Sequence, residues 1–266
     1  MPEEKWLVEG EKTIELDAIT NLKVSLVAGQ VDIVGHDEPS TRIEVHSVRG
    51  KGLKVVRDGD SLVVDHPQLN WDNFIEVFKS FRGTAHADVS IMVPRAVALK
   101  LGVVSASALV SGLTKDANIS TVSGEIAIDG LAGDLSLNTV SGEIAVRNHS
   151  GDIKANTVSG DLIANGDIER FAADAVSGSV FIDATGTPDE IRVNTVSGAV
   201  TARLAPGAAA QYKINTVGGR IHLDDSDISG TLGTFTGRYG SLDKSWTEVK
   251  IDTVGGDVSV LHAVSA

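Results

Sequence analysis

Five acids recur behind five glycines. Gly124, Gly133, Gly142, Gly151 and Gly160 fall nine residues apart, and each is followed by a carboxylate: Glu125, Asp134, Glu143, Asp152 and Asp161. If the copies stack, the acids form columns, and a column of carboxylates is a place for a hard divalent cation, which takes oxygen ligands. The same columns without a cation repel. Unit charges one strand spacing apart cost roughly 1 kcal/mol in water, which favours acids that point into solvent and protect strand edges from aggregation. A second oxygen-rich group, Asp225, Asp227, Ser229 and Gly230, opens like a calcium loop. The glutamate that such a loop needs at its twelfth position is replaced by Thr236, so Asp225, Asp227 and Ser229 are weak metal candidates and no cofactor is expected.

Catalytic patterns are missing. The seven histidines, at 36, 46, 66, 86, 149, 222 and 262, form no H-E-x-x-H pair. The chain has no P-loop, no G-x-G-x-x-G and no G-x-S-x-G. Acids of solenoid enzymes that cleave polysaccharides break the repeat, whereas these acids keep it, so an enzyme is not expected. The remaining residues able to make a binding surface are aromatic. Trp71, Phe74, Phe78 and Phe81 follow helical spacing, and Phe235, Tyr239 and Trp246 sit in a glycine-rich stretch. These seven are candidates for contact with a protein partner or for self-association.

The elements that must position these groups follow from the repeat. After each Gly-acid pair come apolar residues at alternate positions: Ile126 and Ile128, Leu135 and Leu137, Ile144 and Val146. Alternation marks a strand with one buried face, and the small-residue pair before it marks a turn. Every second unit carries T-V-S-G, at 121–124, 139–142, 157–160 and 195–198, with A-V-S-G at 175–178 and T-V-G-G at 216–219 and 253–256. A coil of about 18 residues made of two strand-turn units is a solenoid. The predicted fold is therefore all-β, a parallel β-helix, with a short helix near the N-terminal third. Val122, Val140, Val158, Val176, Val196, Val217 and Val254 are expected to form one inward column. Asn138, Asn156, Asn194 and Asn215, with Asp174 and Asp252 in register, are expected to hydrogen-bond from coil to coil.

Residues 1–95 read as irregular early coils, with a capping helix near 70–82, and 96–266 as the regular solenoid, with an insertion near 224–250. The segment 28–35, A-G-Q-V-D-I-V-G, is already a degenerate repeat unit. Only 4% of the chain is aromatic, which suits a thin aliphatic core. The net charge of −13 argues against nucleic acid, where phosphate binding is driven by Lys and Arg. No run approaches the roughly 20 apolar residues that span a bilayer, so membrane insertion is not expected. There is no cysteine, which fits a reducing compartment. With no apolar run of signal-peptide length at the start, a cytoplasmic location is expected, or an exported one if a signal has been removed.

The segment from Met92 through Val93-Pro94 to Leu99 and Leu101, leading into T-V-S-G-[DE]-[IL] units, resembles the bacterial "putative adhesin" β-strand-repeat family, a domain of unknown function. The resemblance covers roughly residues 20–260. It departs where Ser105-Ala106-Ser107 replaces the serine-glycine-acid pattern and in the T-V-G-G units. It implies a β-solenoid and roles in surface binding or envelope-stress sensing. The function expected is a non-enzymatic scaffold that presents a surface or an end to a protein partner. The alternative is a module that binds divalent cations or glycans, and a carbohydrate-active enzyme comes third.

Overall fold

The computed structural model describes residues 3–66, 85–224, 226–228 and 233–264. The expected helix near 70–82, with Trp71, Phe74, Phe78 and Phe81, lies outside the described residues, as do Asp225, Ser229 and Gly230. Among the described residues the chain is all β, with 24 strands and no helix. It divides into two compact units, Met1–Ala132 and Gly133–Ala266.

The first unit contains β1 (Glu4–Val8), β2 (Lys12–Asp17), β3 (Asn21–Leu26), β4 (Ala28–His36), β5 (Ser40–Gly50) and β6 (Leu53–Asp58). It continues with β7 (Ser61–Asp65), β8 (Ala85–Pro94), β9 (Ala98–Val103), β10 (Ser107–Ser111), β11 (Ala117–Thr121) and β12 (Ile126–Asp129). One ladder runs β1–β6–β7–β3–β9–β11. The other runs β2–β5–β8–β4–β10–β12. From β7 and β8 inward the neighbours are parallel, as a solenoid requires. The outer strands β1, β2, β5 and β6 are antiparallel to their neighbours. A tight reversal explains part of this. Gly59, at φ +57°, lets the chain turn back between β6 and β7 within two residues, and so short a link can only join antiparallel strands. The first strands thus pair antiparallel on the outer side of the parallel neighbours.

The second unit contains β13 (Leu135–Thr139), β14 (Ile144–Thr157), β15 (Leu162–Ala175), β16 (Val180–Ala184), β17 (Glu190–Thr195) and β18 (Val200–Leu204). Then come β19 (Ala210–Thr216), β20 (Ile221–Leu223), β21 (Ser226–Ile228), β22 (Gly233–Tyr239), β23 (Thr247–Thr253) and β24 (Val258–His262). This unit is solenoid-like. Leu135 lies over Ile153, Ile153 over Phe171 and Phe171 over Ile191, and in the second ladder Ile144 lies over Leu162 and Leu162 over Val180. Each of these side chains is at most 2% exposed. Burial of a Leu or Ile contributes about 1.5–3 kcal/mol, and stacking like over like leaves no gap between layers.

The last layers are out of sequence order. β17 pairs with β23, and β23 in turn with β19; likewise β18 pairs with β24 and β24 with β20. The chain builds β19 and β20 and turns back along them with β21 and β22, both antiparallel. It then returns to lay β23 and β24 between layers already made. The long interval between the two T-V-G-G units, from 217 to 253, is this excursion.

Candidate functional site

The T-V-S-G unit is a four-part structural device. Its threonine, not its valine, points inward. Thr139, Thr157, Thr195, Thr216 and Thr253 are each at most 7% exposed. The Thr157 hydroxyl accepts the Gly160 N–H at 2.9 Å and donates to the Gly160 carbonyl at 2.8 Å, closing the turn. The glycine is required by its neighbour one layer below: a Cβ on Gly178 would stand 2.0 Å from the Gly160 carbonyl oxygen. The serine ties the layers together. Ser177 donates both its N–H, at 2.9 Å, and its hydroxyl, at 3.2 Å, to the Val158 carbonyl. These serines are therefore engaged in the scaffold.

The valines correct the expected inward column. Val140, Val158, Val176, Val196, Val254 and Val217 are 43–61% exposed, and of the seven only Val122 is buried. The reason is local. The threonine is the last residue of its strand and continues the inward alternation of Leu135, Leu137 and Thr139, so the next side chain faces out; Ala175, with no hydroxyl, is buried in the same way and leaves Val176 exposed. Beside this exposed stripe runs the expected polar ladder. Asn156 donates to Asn138 at 3.0 Å, Asn194 to Asp174 at 2.7 Å, and Asn215 to Asp252. Ladder and stripe together line a shallow groove of about 360 Å³ formed by residues including Asp174, Asn194, Asn215, Asp252, Val196 and Val254.

Two of the acids behind glycines act on the next layer. Asp161 accepts the Ser179 N–H at 2.8 Å, and Asp257 accepts the Arg220 N–H at 2.9 Å while pairing with its guanidinium at 2.8 Å. Arg220 holds the Asp257 carboxyl below the usual range. On the same ladder Arg203 donates to Asp183 at 2.8 Å and lowers its carboxyl in the same way.

At the end of the second unit the aromatic residues gather. Tyr239 stacks on His262 with ring centroids 3.8 Å apart. The His262 Nδ1 lies 2.9 Å from the Asp224 carboxylate and its Nε2 lies 2.9 Å from the Ala208 carbonyl. Phe235 lies against Gly237, which has no side chain to obstruct the ring. Tyr212 beneath is 4% exposed, and its phenol is pushed above the ordinary range by burial, with smaller contributions from Asp224 and Tyr239.

The Toastrack DUF4097 family profile matches residues 16–261. The chain belongs to the Toastrack DUF4097 family. No curated protein matches it. Among solved structures it is similar to a protein described as a putative lipid binding protein from Parabacteroides distasonis, at 14% identity and a TM-score of 0.49, covering 96% of this chain and 95% of that one. It is also similar to a putative adhesin from Bacteroides fragilis, at 11% identity and a TM-score of 0.44, covering 96% and 98%. A third, a putative cell adhesion protein from Clostridium sporogenes, has 12% identity and a TM-score of 0.26, covering 98% and 99%.

In this Toastrack chain the structure brings Phe235 and Tyr239 together in the end cluster. Trp246 stands 42% exposed in the turn that follows. Of the weak metal candidates, Asp227 is described, and it hydrogen-bonds His222 at 2.7 Å. Among the described residues no group of three His, Asp or Glu could hold a metal ion. Two features carry no signal in the spacing. His262 and Asp224 meet across 38 positions because of the returning strand. In the first unit a depression of about 930 Å³ is lined by Glu4, Glu15, Asp17, His36, Arg42 and Arg57 among others. There the nearly buried Arg57 donates to the Gly59 carbonyl at 3.2 Å.

Proposed function

We propose that the chain is a non-enzymatic, adhesin-like β-solenoid module with about 18 residues per coil, whose surface is presented to a protein partner. The observation that carries this reading is the exposed valine stripe of the second unit. Six aliphatic side chains, each 43–61% exposed, stand in one line beside a ladder of amides and carboxylates. Contiguous apolar surface bordered by polar groups is what protein interfaces use, whereas scattered exposed valines would need no explanation. The T-V-S-G device explains Thr, Ser and Gly by the needs of the scaffold; Val is the member that the scaffold leaves free.

The test is recovery of bound proteins from the native host with the chain as bait, compared with a V158S/V176S/V196S variant and with a control changed at Thr201 on the other ladder. A partner bound by wild type and control but lost by the triple variant supports the proposal. A partner set that is identical for all three contradicts it. The groove over Asp174, Asn194, Asn215 and Asp252 favours a second reading, glycan binding, because amides and carboxylates are the acceptors and donors that sugar hydroxyls need. Calorimetric titration with oligosaccharides separates the two readings.

A further inference from the structure

We propose that β22 is the docking edge for a second copy of this chain. Every stack of strands ends in a row of unpaired backbone groups, and natural proteins protect such edges with charge. At the start of the first unit the protection is visible. The outer strands β1 and β2 carry Glu4, Lys5, Lys12, Glu15 and Asp17. On β22, at the end of the second unit, it is sparse among the described residues. β22, G-T-F-T-G-R-Y, has one charged residue, Arg238, and no proline. Among the described residues its pairing is with β19 on one side only. Seven residues is long for a sparsely protected edge, and Thr, Phe and Tyr all favour strands.

The strand fits itself. Two copies of an antiparallel edge can meet about a two-fold axis, the commonest symmetry of soluble oligomers, and all seven residues pair when Thr236 faces Thr236 of the second copy. In that register Phe235 faces Gly237 of the second copy, and both lie on the side turned toward the interior, where Phe235 and Gly237 are less exposed than Thr234, Thr236 and Arg238. Each ring lies over Gly237 of its own strand, so no side chain at 237 of either copy stands between the rings where the two strands meet. Thr234 faces Arg238 of the second copy on the outer side, so no like charges oppose each other. A strand from an unrelated protein has no reason to place glycine opposite Phe235, which is why a second copy is the occupant proposed. This surface is separate from the valine stripe.

The experiment is light scattering coupled to size exclusion over a concentration series on the full chain, with circular dichroism to confirm folding. The wild type is expected to dimerise. T236K and T236E each place like charges across the axis and should move the midpoint of dimerisation about fivefold or more to higher concentration. An equimolar mixture of the two should recover the wild-type midpoint, an outcome that damage to the fold cannot produce. T234E, opposite Arg238 of the second copy, should tighten the dimer, and V158S/V176S should leave it unchanged. A wild type that is monomeric throughout overturns the proposal, as does a dimer insensitive to Thr236. Open-ended growth instead of a dimer overturns the two-fold arrangement, and a dimer lost in V158S/V176S but kept in T236K assigns self-association to the stripe and overturns it equally.

Discussion

Replacing Thr157 by Val should destabilise the protein more than replacing its exposed neighbour Val158 by Asp. The first change is nearly isosteric and more apolar, and by hydropathy alone it should be harmless in a residue that is 6% exposed. It removes the acceptor for the Gly160 N–H and the donor to the Gly160 carbonyl, at 2.9 and 2.8 Å. A buried amide left unpaired costs about 1–3 kcal/mol. For a cooperative unit of this size that corresponds to a fall of roughly 2–12 °C in melting temperature, at about 2–4 °C per kcal/mol. Val158, at 49% exposure, is bordered along its stripe by Val140 and Val176 and has no charged neighbour there. An aspartate at 158 remains hydrated, and the cost should stay within about 0.5 kcal/mol, the range of surface substitutions. Differential scanning calorimetry of both variants at neutral pH decides the matter. If V158D melts well below T157V, threonine does not face the interior and the account of the repeat is wrong.

Gly178→Ala should be severe, because the added Cβ would sit 2.0 Å from the Gly160 carbonyl oxygen and backbone must move; a melting temperature equal to wild type would contradict the close layer contact. His66 is 1% exposed, accepts the Val27 N–H at 3.3 Å, and has its pKa lowered to about 4 by burial, with a smaller contribution from His86. Its folded value lies below the unfolded value of 6.5, so the stabilisation is full above about pH 6.5 and is lost as pH falls toward 4; His66→Gln should flatten the stability profile in that window and nowhere else. Asp183, held low by Arg203, behaves with the same sign at lower pH: Asp183→Asn should be less stable than wild type at neutral pH, and the two should converge in urea titrations as pH falls below 3.8. The melting temperature should be the same in millimolar calcium and in chelator, and a rise of several degrees with calcium would revive the acid columns as a cation site.

Much of the parallel stack was legible because solenoids write their geometry as a period. Inward aliphatics such as Ile144, Leu162 and Val180 repeat at the spacing of the layers, and the Asn and Asp ladder follows from the same register. The direction of Val158 was not legible. Alternation carries the inward face from Leu135 and Leu137 to Thr139, the last residue of its strand, and so turns the following valine outward, but a polar threonine at an inward position hides that phase beside an apolar valine. The interleaved layers were hidden for a different reason. Both T-V-G-G units read as ordinary repeats, and a pattern gives each layer its inner face without giving its place in the stack. The change from T-V-S-G to T-V-G-G was nonetheless a trace of it. Gly255 and Gly218 keep the backbone bonds to Val196 and Val254, at 2.8 Å each, but lack the serine hydroxyl that reinforces the regular layers. The end cluster of Tyr239, His262 and Asp224 depends on that rearrangement, so only its aromatic members could be picked out as candidates.

The most direct test of the central claim, that the solenoid-like unit closes by laying its last strands between earlier layers, is disulfide mapping in a chain with no native cysteine. Thr201 lies in register with Ser259, and Ser259 with His222, all on one outward column. Cysteines at neighbouring strand positions fall within the Cα separation that a disulfide accepts, about 4.4–6.8 Å, and cysteines two strands apart do not. The account predicts rapid oxidation of the 201/259 and 259/222 cysteine pairs, read by peptide mass spectrometry, and little intramolecular bond in the 201/222 pair. A 201/222 bond formed readily, with 201/259 unreactive, would mean that the layers follow chain order, and the interleaving of β23 and β24 and the place of β22 as an outer edge would fail together.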